Sequence, residues 1–211
     1  DKVHVNKSLI IVPMNTPGVS VAPKLDKLGM RSSETAQVFF DNVRVPQRYR
    51  IGNEGMGFMM QMMQFQEERL CAAASTIRAL EICIDSTVDY TRDRQAFGQS
   101  LIDNQLVHAN LAQMQMEVAA LRALCYHACE KYVAGEDPTM LASFAKLKAG
   151  QLGRQIPSDC LQYWGGMGYM WENLVSRMYR DLRLMSIGGG SDDCSTPDLL
   201  AGQGRKMQPS S

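Results

Sequence analysis

From Met56 to about Arg94 the chain sets apolar side chains at helical spacing, with Phe58, Met62, Phe65, Leu70, Ala73, Ile77, Leu80, Ile84 and Val88 on one stripe. No proline interrupts this run, and Gly57 in the first turn is its only glycine. The pattern predicts one continuous amphipathic helix, roughly 55–60 Å long at about 1.5 Å per residue. A second helix is expected from about Gln105 to Val133, stopped by Gly135 and Pro138. A third is expected from about Pro138 to Tyr163, with Pro157 as a kink point. The Gly-rich turn Trp164-Gly165-Gly166-Met167-Gly168-Tyr169 follows, then a shorter helix around Asn173–Asp181. Long helices joined by short loops imply a mainly α fold, an antiparallel up-and-down four-helix bundle.

The first 53 residues have a different character. Ser8-Leu9-Ile10-Ile11-Val12-Pro13 is a short apolar run ending in a breaker, and Thr16-Pro17-Gly18 is a turn. Val19–Ala22 and Thr35–Phe40 alternate with period two, and Val43-Arg44-Val45-Pro46 closes the segment as a further strand. Four strands in fifty residues cannot bury a core alone. This region therefore reads as part of a larger sheet. The expected organisation is a partial β-domain at 1–53, a helical domain at 54–193 and a disordered tail at 194–211, rich in Gly, Pro and Ser.

Lys+Arg is 22 and Asp+Glu is 22, so the net charge is zero and there is no electrostatic footprint for nucleic acid or an anionic membrane. No apolar stretch reaches a bilayer span. The chain opens at Asp1 without an initiator Met, and the opening residues do not read as a signal or transit segment. Six cysteines, most of them within helical patterns, form no CxxC pair and are expected to be reduced thiols. On a helix Cys125 and Cys129 share a face while His127 points away, so no metal site is expected there. The methionines at 56, 59, 60, 62 and 63 are expected to pack in the core, with an apolar ligand cavity as the other reading.

Several motifs occur in a fixed order: Thr16-Pro17-Gly18-Val19; Lys27 through Thr35, reading KLGMRSSET; Val38 through Pro46, reading VFFDNVRVP; Gly52 through Phe58, reading GNEGMGF; Arg94-Gln95-Ala96-Phe97-Gly98 with Gln105; Gln162 through Tyr169; and Arg180-Asp181. Together they span residues 3 to about 193, and in this order the chain resembles the C-terminal half of the acyl-CoA dehydrogenase family. The resemblance implies the later part of a middle β-barrel-like domain followed by the C-terminal four-helix domain. It also implies FAD-dependent α,β-dehydrogenation of a fatty or branched-chain acyl-CoA, with a carboxylate taking the α-proton. A thioester α-proton is weakly acidic, so that base must be desolvated and held against it.

The family places the catalytic Glu in one of two locations. The commoner one, in the loop after Arg180-Asp181, falls here on Gly189, which cannot act as a base. The other lies on the first long helix, as in the long-chain and isovaleryl enzymes. There the sequence reads Glu67-Glu68-Arg69-Leu70, and the match falls on Glu68. Loss at one position and presence at the other agree. Without the resemblance Glu68 would read as a solvated helix carboxylate, and Glu67, about 100° round the helix, still does. Arg69 matches a family arginine near the substrate channel, with a surface cation as the equal alternative. The resemblance assigns Arg94 to a flavin pyrophosphate across a subunit interface, where a guanidinium can donate twice. It assigns Phe97 and Gln105 to the same FAD, and Gln162, Gly165 and Gly166 to a second flavin-contacting strip.

The implied partners are an acyl-CoA substrate, an electron-transferring flavoprotein, and copies of the same chain in a homotetramer built as a dimer of dimers. The implied location is the mitochondrial matrix, with bacterial cytoplasm as the alternative. Two other readings stand beside the dehydrogenase: a non-catalytic scaffold that has lost flavin, and an acyl-CoA oxidase. Asp193 stands where the family usually carries Glu or Gln, and Asp192–Pro197 breaks the family pattern.

Overall fold

The computed structural model describes residues 5–192, so the expectation of a disordered tail at 194–211 lies outside the described residues. The chain forms two compact units that divide at Phe65/Gln66.

In the first unit the strands are short. β1 (Leu9–Ile10) pairs antiparallel with β4 (Arg50–Ile51), and β2 (Val19–Val21) pairs antiparallel with β3 (Val38–Phe40). The register places Val19 opposite Phe40 and Val21 opposite Val38. Val43–Pro46 is not a strand, contrary to the sequence pattern. No described strand pairs with it, and Pro46 lacks the backbone donor that a ladder needs. The methionine expectation also fails: Met56, Met59, Met62 and Met63 are exposed.

α1 (Gly57–Asp93) is the long helix that the apolar spacing demands. A small antiparallel hairpin, β5 (Gln95–Ala96) with β6 (Gln99–Ser100), follows it. α2 (Gln105–Val133) begins where the Asn104 side chain accepts the Leu106 amide at 3.0 Å. α3 (Thr139–Trp164) continues through Pro157, which is buried. α4 (Leu174–Leu182) is capped by Asn173, whose Oδ1 accepts the Val175 amide at 2.8 Å.

Side-chain pairs fix the helix directions. Glu67 accepts from Tyr132 and Glu81 pairs with Arg122, so α1 and α2 run antiparallel. Lys148–Glu117 and Asn110–Tyr163 set α2 against α3 in the same way. Gly150 packs on Ser186 and Gly153 on Leu182, which makes α3 and the α4 segment antiparallel. The result is the up-and-down bundle. Its core draws Leu80 and Ile84 from α1, Leu111 and Leu121 from α2, Leu152 and Ile156 from α3, and Val175 from α4. Thr76 and Thr87 are buried there too, and each hydroxyl donates to a carbonyl one turn back at 2.8 Å, so no polar cost is left open.

Candidate functional site: two ends of one bundle

The antiparallel topology sorts the sequence-predicted site residues into two groups. Glu68 and Arg69 lie in the early turns of α1. Arg94 and Phe97 follow its C-terminus, Gln105 opens α2, and Gln162, Gly165 and Gly166 close α3. From Arg69 to Asp93 the helix axis covers about 36 Å at about 1.5 Å per residue. Within one chain the structure therefore does not bring the two groups together.

At the first end Glu68 is exposed. Glu67 is exposed as well, but its carboxylate accepts the Tyr132 hydroxyl at 2.5 Å. That bond holds the Tyr132 phenol above its ordinary pKa, because an anionic acceptor favours the protonated donor. Arg69 is half-buried and donates from Nη1 to Ser143 Oγ on α3 at 3.2 Å, which takes it out of the class of free surface cations. One turn further along α3 comes Lys146, only 2% exposed, whose ammonium donates to the Gly190 carbonyl. Burial pushes the Lys146 pKa down; the Asp192 carboxylate opposes that shift and Arg69 adds to it. Asp192 is itself paired with Arg154 at 3.0 Å. Gly189, the position matched to the commoner base location, has φ +68 and would set a Cβ 3.8 Å from Lys146 Cε. Arg69, next to Glu68, and Gly190, next to Gly189, thus both bond to residues one turn apart on α3.

Sequence reading missed Lys146. The available signal was its place on the helical stripe Ala142, Ala145, Ala149, where an apolar residue is the rule.

At the other end the β5–β6 hairpin turns on Phe97 and Gly98, with φ of 54 and 84. Phe97 is 101% exposed, its ring projected wholly into solvent. Arg94 is exposed, and its carbonyl accepts the Leu101 amide at 2.8 Å, closing the hairpin base. Trp164 stacks on Tyr90, centroids 4.0 Å apart, and donates to Thr87 at 3.1 Å, which pins the end of α3 to the end of α1. Gln162 is exposed between two shallow clefts. One, of about 390 Å³, includes Asn110, Gln113 and Asp159; the other, of about 450 Å³, includes Gly165, Gly168 and Tyr169. Gly165 and Gly166 have no atom within 4 Å of where a Cβ would stand, so the backbone is open to close approach. An exposed guanidinium, a projecting aromatic ring, two exposed glutamines and a bare glycine backbone suit a nucleotide that carries a pyrophosphate. Among the described residues no three His, Cys, Asp or Glu side chains gather as metal ligands.

Residues 55–201 match the family model for the acyl-CoA dehydrogenase C-terminal domain. The chain is 35% identical over 185 residues to cyclohexane-1-carbonyl-CoA dehydrogenase of Geobacter metallireducens, covering 88% of this chain and 49% of that protein. It is 33% identical over 186 residues to the mitochondrial long-chain specific acyl-CoA dehydrogenase of Sus scrofa, covering 88% of this chain and 43% of that protein. Its structure superposes on butyryl-CoA dehydrogenase from Megasphaera elsdenii with a TM-score of 0.92 at 30% identity, over 97% of this chain and 53% of the other. A mainly helical bundle with these relatives defines the class: the chain belongs to the acyl-CoA dehydrogenase family and carries its C-terminal domain. It spans about half the length of the relatives it matches.

Proposed function

We propose that the protein containing this chain is an FAD-dependent acyl-CoA dehydrogenase that acts on long- or branched-chain acyl thioesters, with Glu68 as its base. Residues 1–53 are its partial middle β-domain and 54–193 its C-terminal helical domain. The observation that supports the reading is that Arg69, the neighbour of Glu68, and the glycine loop at 188–190 both bond to one stretch of α3. Gly189 offers no side chain there, while Glu68 stands beside Arg69, whose guanidinium is anchored through Ser143 to the same face.

The chemistry assigned to these residues is simple. Glu68 accepts the α-proton on a carboxylate oxygen. Acyl-chain binding excludes water from that oxygen, which raises its basicity at the moment of transfer. Arg69 keeps a fixed positive charge next to the base. A bound flavin supplies the acceptor for the β-hydride. At the far end of the bundle Arg94 would donate to pyrophosphate oxygens, Phe97 would pack on the adenosine half, Gln105 and Gln162 would donate side-chain amides, and Gly165 and Gly166 would admit the cofactor to the backbone. Because about 36 Å of helix separates these residues from Glu68, they serve the flavin of a neighbouring subunit. The assembly is therefore a dimer at least, and a homotetramer in the full reading. An electron-transferring flavoprotein is the proposed acceptor, and the mitochondrial matrix or a bacterial cytoplasm the location.

The test is Glu68→Gln in the full-length, flavin-loaded protein. Acyl-CoA binding persists, and anaerobic flavin bleaching by a long-chain acyl-CoA slows about 10²–10⁴-fold. Glu67→Gln, which removes the charge but keeps an oxygen to accept the Tyr132 hydroxyl, bleaches at close to the normal rate. A Glu68→Gln protein as fast as wild type would overturn the assignment, and a colourless wild-type protein with intact helices would favour the scaffold.

A further inference from the structure

Lys146 has no role in the chemistry above, yet its placement is costly. An ammonium withdrawn from water is unfavourable unless it is paired and hydrogen-bonded. An apolar residue would fill the stripe between Ala142 and Ala149 without that penalty. Three features show what the cation holds. Its Nζ donates to the Gly190 carbonyl. The opposing charge is Asp192, close to the same loop and also paired with Arg154 of α3 at 3.0 Å. One turn on, Gly150 clears the way: a Cβ there would come within 2.6 Å of Asp192 Oδ1 and 3.1 Å of the Met185 carbonyl. α3 is thus cut back at one turn to admit the 185–192 segment, and carries a cation at the neighbouring turn to fix it. Ser143, one turn the other way, holds Arg69.

We propose that Lys146 is a positioning residue, a buried latch that fixes the glycine loop 188–190 on α3 and so sets the wall of the acyl site beside Glu68 and Arg69. The last clause rests on the proposed dehydrogenase reading; the latch itself does not. The loop's own backbone bonds are local. Its glycines at 189 and 190 sit at φ +68 and +98, and the backbone bonds from Ile187 and Gly188 both end on the Leu184 carbonyl at 2.9 and 2.8 Å.

The experiment compares wild type with Lys146→Met in the full-length protein, read two ways. Amide hydrogen exchange of the peptide covering 184–192 is set against that of the core peptide around Leu121. The latch predicts exchange about tenfold to a hundredfold faster in the loop alone, the loss of one charge-assisted hydrogen bond. In flavin-loaded protein, kcat falls about tenfold while KM stays within about twofold, because the acyl group still binds but meets a displaced wall. Unchanged loop exchange overturns the latch. Faster exchange in loop and core alike makes Lys146 a general packing residue and overturns it as well. Faster loop exchange with wild-type kcat overturns the positioning role. If Lys146→Met fails to fold, Lys146→Gln, with a shorter stem and no charge, is read by the same criteria. If the wild-type protein is not bleached by any acyl-CoA, the dehydrogenase reading fails while the exchange comparison still judges the latch.

Discussion

The two units of this chain use apolar residues in opposite ways. In the described part of the first, no strand residue is buried, and Phe39 and Phe40 on β3 are 53% and 59% exposed. In the second, Leu80 and Leu121 are wholly buried, and each helix contributes to one continuous core. The apolar patterns over β2, β3 and α1 are each regular. An alternating strand states only that some surface must lie against it, whereas the α1 stripe from Ala73 onward shares one core with α2, α3 and α4 of the same chain. Regular patterning therefore gives the type of element, and the supply of partners decides whether that element is stabilised.

Three measurements would break or sharpen this contrast. The largest effect is expected from Leu80→Ala, which removes a fully buried side chain from the middle of α1. It should cost about 2–5 kcal/mol in denaturant unfolding of this chain. A loss under about 1 kcal/mol would show a core loose enough to collapse round the gap.

A smaller effect concerns the Glu81–Arg122 pair between α1 and α2. Bonding to Arg122 holds the Glu81 carboxyl below its ordinary value of 4.5. A carboxyl depressed in the folded state contributes stability that is present above the unfolded pKa and lost as pH falls through the folded one. The helical unit should lose this contribution below about pH 4.5, by about 0.2–1 kcal/mol for a partly exposed pair. Melting temperatures from pH 3 to 6 would reveal it as a shallower acid limb in Glu81→Gln. An unaltered limb would assign the acid sensitivity to other carboxylates.

The smallest effect is expected in the first unit. Phe39→Thr should change the stability of this chain by less than about 0.5 kcal/mol, since a half-exposed side chain with no core around it has little to lose. A cost near that of Leu80→Ala would mean that this unit has a core of its own, and the contrast would fall.

The helices were legible because their limits carry strong local chemistry. Asn104 and Asn173 cap α2 and α4, Gly135 and Pro138 separate α2 from α3, and the observed ends fall within one or two residues of those expected. The strands were less so. β4 is two residues long and the β5–β6 hairpin has two residues on each side, too short for any period to register. Val43–Val45 alternates without being a strand, because pairing is not encoded in one segment. The separation of the candidate site into two ends followed from helix direction, which periodicity does not contain. Lys146 escaped because a sequence shows a lysine as charged and leaves its burial to be discovered.

The chain's two tryptophans occupy unlike surroundings. Trp164 lies stacked on Tyr90 with its indole N–H committed to Thr87. Trp171 is 60% exposed, with the Arg180 guanidinium 3.9 Å from its ring centroid. Emission from this chain should therefore be a sum of two separable signals, a blue one from the junction of α1 and α3 and a red one from the turn before α4. Aqueous quenchers reach the second before the first. The molecule thus carries an optical gauge of its own, in which loss of the blue component reports that the end of α3 has come away from α1 while the rest of the bundle still stands.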